Sequence, residues 1–192
     1  MKKKLFISFL LLVIVLSLSL NILAEDDSLK AYRDIKFKDS ESTVREKWND
    51  DEKITSNMGY PHVSFNHVGY DLYFDFYEDQ LYSITFYGPE HTADYFDTDL
   101  KNQRNQLVRM ISNKYDSPDM EKELNFFDVE NGYITYTHKW NIDDKRIIIG
   151  TGGTDYKYYN TLIIEYLPLY NKVQKEQEEE ESENVEDDSS DF

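Results

Sequence analysis

The sequence predicts an α+β domain: an antiparallel sheet of about seven strands with two helices on one face. Three observations carry this. Residues 70–88 (YDLYFDFYEDQLYSITFYG) alternate apolar and polar side chains on either side of an acidic turn at 78–80. Residues 99–115 repeat apolar side chains with a helical period, and β-rich runs fill 123–167.

The chain opens with Lys2, Lys3 and Lys4, an uncharged apolar run over 5–20, and a short stretch to Ala24 before Glu25. That layout predicts a secretory signal peptide over 1–24 and an exported protein, periplasmic or secreted. Ile22 at the −3 position is larger than the usual small residue. The alternative is an uncleaved inner-membrane anchor through Leu5 to Leu23, close to the roughly 20 residues that span a bilayer. After cleavage no membrane span is expected. The mature chain, 25–192, reads as one domain over 25–170, followed over 171–192 by an acidic tail expected to lack fixed structure beyond a helical stub.

Residues 34–38 alternate as a short strand. Asp39-Ser40 offers an N-cap for a helix over 40–50, where Val44 and Trp48 lie one turn apart and face the sheet together. Residues 62–67 form a strand, with Gly69 marking the turn into the 70–88 hairpin. There Leu72, Phe74 and Phe76 share one face and Tyr73, Asp75 and Tyr77 the other. Gly88-Pro89 ends the hairpin, because proline cannot donate to the ladder. Asp97 or Thr98 caps the second helix, whose apolar stripe is Leu100, Leu107, Val108, Ile111 and Tyr115, with Arg104 off it. Strands follow at 123–129, 133–142, 146–151 and 158–167. Asn131-Gly132 predicts a two-residue hairpin turn. Ile147-Ile148-Ile149, apolar on both faces, belongs inside the sheet, and Gly150 to Thr154 reads as a turn. The order helix–three strands, helix–four strands suggests a duplicated α-β-β-β unit.

The short helix with Val44 and Trp48, followed by YFDFYEDQLYSITF, resembles the helix–hairpin signature of small exported modules: the SmpA-type outer-membrane assembly domain and the β-lactamase-inhibitor-protein family. The resemblance covers roughly residues 40–88. The lipidated cysteine of the first and the disulfides of the second are both absent here. The resemblance implies an export-associated binding module and carries over no functional residue.

Composition narrows function. The chain has 21 Lys and Arg against 38 Asp and Glu; without the three leader lysines the balance is 18 to 38, a net −20. Such a surface repels nucleic acid, which excludes DNA or RNA as partners. With no cysteine, disulfides, thiolate nucleophiles and cysteine metal sites are excluded. The four histidines lack metal-ligand spacing: His62 and His67 point to opposite faces of one strand, His91 lies in a loop, and His138 shares a face with Trp140. The glycines at 150–153 precede a strand and lack the Lys-Ser/Thr of a phosphate loop. Asp97-Thr98-Asp99 and residues 128–132 supply oxygens but match no calcium loop. No cofactor is expected.

Sixteen tyrosines are the strongest positive signal. Tyrosine offers contact area with a hydrogen-bonding tip, though it is also a good strand former. The candidate partner surface is Tyr73, Asp75, Tyr77, Tyr87 and Tyr133, and Phe192 ends a candidate docking tail. The expected function is a non-enzymatic binding or assembly-associated module of a bacterial envelope, meeting another envelope protein or an extracellular ligand. The alternatives are a hydrolase with a carboxylate pair, or a cation-binding acidic protein.

Overall fold

Alternation and capping resolve into eleven strands and three helices among residues 29–189, the part of the chain that the computed structural model describes, with side chains through residue 182. The leader and Phe192 lie outside the described residues. Strands β1 (Lys30–Tyr32) and β2 (Ile35–Lys36) pair with each other as a separate two-stranded sheet. Helix α1 (Glu41–Asp50) starts where expected, with the Ser40 hydroxyl accepting the Thr43 N–H. Then come β3 (Thr55–Asn57), β4 (Tyr60–Phe65), β5 (Val68–Tyr77), β6 (Gln80–Tyr87) and β7 (His91–Thr92), α2 (Lys101–Tyr115), β8 (Met120–Glu121), β9 (Ile134–Ile142), β10 (Lys145–Thr154), β11 (Lys157–Tyr166) and α3 (Leu167–Ser189).

The nine-stranded sheet is antiparallel in the order β3-β4-β5-β6-β11-β10-β9-β8, with β7 paired to β11. This order is a palindrome. Each half runs helix, short strand, then three longer strands, and the halves meet where β6 lies against β11. The expected duplication is therefore present in the topology. The sheet has nine strands where seven are expected: β3, β7 and β8, two or three residues long, are too short to show alternation, and the expected strand over 123–129 does not form.

One face of the sheet is the core. In register across it lie Leu72 and Phe86, then Leu162 and Ile149; one row along lie Ile84, Ile164, Ile147 and Trp140. All eight are buried in one cluster with Val44 of α1 and with Leu107 and Ile111 of α2. Trp48 stacks on Phe74 with ring centroids 5.8 Å apart. Ile147, Ile148 and Ile149 are buried in a strand flanked on both sides, as their two-faced apolarity requires.

Several expectations are corrected. Residues 123–129 form no strand: the Asp128 carboxylate accepts the Asn125 N–H and closes a short 3₁₀ turn, Phe126–Asp128. Gly132 takes a positive φ of 83° while Asn131 does not, and the Tyr133 N–H donates to Glu130 O. That is type II geometry, and the loop docks on the end of β10 through the Gly132 N–H to Gly153 O. Gly69 lies within β5 and Gly150 to Thr154 within β10. The adjoining turns are Asn66-His67 and Asp155-Tyr156, all at positive φ as two-residue hairpins require. Neither Asp97 nor Thr98 caps α2 with its side chain; the helix grows out of a wide turn, Phe96–Leu100.

Arg104 is buried, its guanidinium donating to Thr151 Oγ1 at 3.1 Å, which in turn meets Asn160 Oδ1 at 2.9 Å. The acidic C-terminal segment is helical through Ser189. Its first turn is anchored by buried Leu169, its glutamates are good helix formers, and Lys175 pairs with Glu179 one turn on. No helix among the described residues is long and apolar enough to cross a membrane.

Candidate functional site

The face opposite the core is built by the other half of each alternation. Asp71, Tyr73 and Asp75 of β5 stand opposite Tyr87, Thr85 and Ser83 of β6. The same rows continue into Thr161, Ile163 and Glu165 of β11. Tyrosines form a continuous ladder across this face. Ring centroids are 4.9 Å apart for Tyr60–Tyr73, 5.1 Å for Tyr73–Tyr87 and 5.7 Å for Tyr87–Tyr159. These are the tilted and edge-on contacts that aromatic rings prefer. Tyr159 lies over Gly152, where an added Cβ would sit 2.6 Å from its Cζ.

Tyr73, Tyr87 and Tyr159 of the ladder floor a groove of about 760 Å³ whose walls include three carboxylates, Asp71, Asp75 and Glu90. Asp71 accepts from His62 Nδ1 at 2.7 Å and from Asn57 Nδ2 at 3.0 Å. Glu90 pairs with Lys157 at 2.6 Å. Asp75 makes no ion pair or hydrogen bond among the described residues. Burial first, then neighbouring tyrosines and carboxylates, pushes the phenols of Tyr73 and Tyr87 up; burial and Glu90 do the same to Tyr159. All three therefore remain neutral O–H donors at ordinary pH, beside carboxylates that accept. Deeper in the same face Arg146 holds Glu165 at 2.6 Å and lies 4.4 Å from the Tyr170 ring centroid. Burial pushes the Glu165 carboxyl up, against the pull of Arg146.

Of the predicted surface residues, Tyr73, Asp75 and Tyr87 come together in this groove. Tyr77 stands at the hairpin tip, where its hydroxyl donates to Glu176 of α3. Tyr133, exposed in the turn before β9, takes no part in the ladder. Sequence reasoning missed Tyr60, Asp71, Glu90 and Tyr159. Tyr60 and Asp71 could have been placed from the alternation of β4 and β5, but Tyr159 joins the groove only because β11 pairs with β6, which no local pattern encodes.

The histidines are dispersed. His62 serves Asp71, His67 occupies a turn, and His91 contacts Gln103 at 3.0 Å. His138 is buried and stacks on Trp140, and burial pulls its pKa down. Among the described residues no three His, Asp or Glu side chains group as a metal site would need. Compared with family models, curated proteins and solved structures, the chain finds no match.

Proposed function

We propose that this protein is a non-enzymatic binding module, exported to a bacterial envelope, that holds its partner on the outer face of the sheet. The observation that supports this reading is the ladder Tyr60–Tyr73–Tyr87–Tyr159, whose last three rings floor a groove walled by Asp71, Asp75 and Glu90. Rigid aromatic area with neutral hydroxyls is the composition that binding surfaces enrich. Carboxylates beside aromatic faces favour a partner that presents cationic groups, by ion pairing and by cation–π contact. A strongly acidic protein draws such partners in from a distance.

The test is capture from envelope extract by residues 25–192, beside a Tyr73→Ser/Tyr87→Ser double variant shown to fold by circular dichroism. A specific partner retained by the parent chain and lost by the variant is the expected result. Equal capture by both chains overturns the outer face as the site. Turnover of ester, glycan or peptide substrates by the purified chain overturns the non-enzymatic reading.

A further inference from the structure

We propose that the open edge of β5 accepts an extended peptide of alternating apolar and basic residues as an added strand. This goes beyond the binding reading above: it uses the backbone edge, and of the tyrosine face only Asp75. Strand β4 pairs with β5 only from Val68 to Asp71, and at Met58-Gly59 the chain turns back into β3. From Phe74 to Tyr77 no strand lies on that side of β5 among the described residues, while on its other side β5 is paired with β6 through Tyr77. The palindrome makes the gap legible. In the second half, β10 occupies the position of β5, and β9 flanks it from Lys145 to Gly152, with one bulge between Ile149 and Gly150. The first half lacks the stretch of strand that the second half supplies.

The vacant edge is shaped to take one. A cavity of about 180 Å³ separates it from α1, lined by Val44, Trp48, Pro61, Phe74 and Phe76. An added strand alternates its side chains between the faces of the sheet. Residues opposite Phe74 and Phe76 would therefore enter this apolar cavity. The residue between them would stand opposite Asp75, whose carboxylate makes no ion pair or hydrogen bond among the described residues, about 5 Å away as cross-strand pairs do. At the α1 end Glu41 is already neutralised by Arg45 at 3.0 Å. The pattern apolar–basic–apolar follows, and the chain's net charge of −17 favours it further. Main-chain hydrogen bonds along the edge would supply affinity, and the cavity and Asp75 the selection, as in other strand-addition complexes.

The experiment uses residues 25–192 and three capped peptides: Lys-Val-Lys-Val-Lys-Val-Lys, its Glu-for-Lys counterpart, and a version with proline at the central valine. Binding is followed by calorimetry and backbone amide hydrogen exchange. The expected result is at least tenfold tighter binding of the Lys-Val peptide than of either control. Exchange should slow within residues 73–77, and Asp75→Asn should weaken binding about two- to fivefold. Binding without protection of 73–77 places the peptide on the tyrosine face; it overturns the edge proposal and leaves the outer-face reading standing. Equal binding of the proline peptide, or none by any peptide, also overturns it. So does a protein dimer, seen in sedimentation, that protects 73–77 and excludes the peptide, because the edge then belongs to a second copy of this chain.

Discussion

Two glycines of β10 decide how the tyrosine layer sits on the sheet. An added Cβ at Gly150 would fall 2.6 Å from Ile134 Cγ2, 3.0 Å from Thr135 O and 3.2 Å from Tyr136 Cδ1. One of those atoms is backbone and cannot swing aside, so Gly150→Ala should cost about 1–3 kcal/mol, as overpacking does. At Gly152 the obstacle is the far end of the Tyr159 ring, which can move. Gly152→Ala should therefore cost less in stability, since alanine also relieves the entropy cost of glycine by about 0.5–1 kcal/mol. It should instead displace Tyr159 from Tyr87, visible as a shift in their ring resonances. Urea unfolding of the two variants checks the order; Gly152→Ala being the more damaging would refute this account. The same glycines show why residue-scale reading misplaced 150–154. A glycine-rich run reads as a turn, and what makes it strand is the bulk arriving from β9 and β11, which lies elsewhere in the sequence.

At the scale of elements, what was legible was local. The Ser40 cap, the 70–88 hairpin and the stripe of α2 each follow from a pattern within a few residues. Arg104 was missed because its partner Thr151 is brought to it by the sheet. The acidic segment reads as unstructured in sequence because it has no apolar stripe. Its helix is held instead by Leu169 in the core and by the contact of Glu176 with Tyr77.

That contact is testable. The hydrogen bond to Glu176 is the main cause that pushes the Tyr77 phenol up to about 12, from the ordinary 10.0. A phenol with a raised folded-state pKa contributes stability below its unfolded value, and that contribution is lost as pH rises through the folded value. For Tyr77 the loss falls between pH 10 and about 12. Ending the chain after Tyr170 should return Tyr77 toward the ordinary tyrosine range, read by spectroscopic titration against a Tyr77→Phe reference. A Tyr77 that still titrates near 12 would show that Glu176 is not the cause.

At the scale of the molecule, the palindrome raises the question of whether the halves are independent units. The seam runs from Ser83–Glu165 to Tyr87–Thr161 in register. Parting it would expose Ile84, Phe86, Leu162 and Ile164, all buried. At about 1.5–3 kcal/mol for each such side chain, the cost reaches the roughly 5–15 kcal/mol by which a whole domain is stable. A state with one half folded should therefore never accumulate. The chain carries its own reporters, because its two tryptophans fall one in each half. Trp48 stacks on Phe74, and Trp140 is buried with its indole N–H donating to Asp116 O at 3.1 Å. In the parent chain, fluorescence and far-ultraviolet dichroism should give the same urea midpoint. In Trp48→Phe and Trp140→Phe, each remaining tryptophan should report a midpoint coincident with that variant's own dichroism. Separate midpoints within one variant would mean that the β6–β11 seam opens first. The duplication would then have left two folding units, where the shared core argues for one.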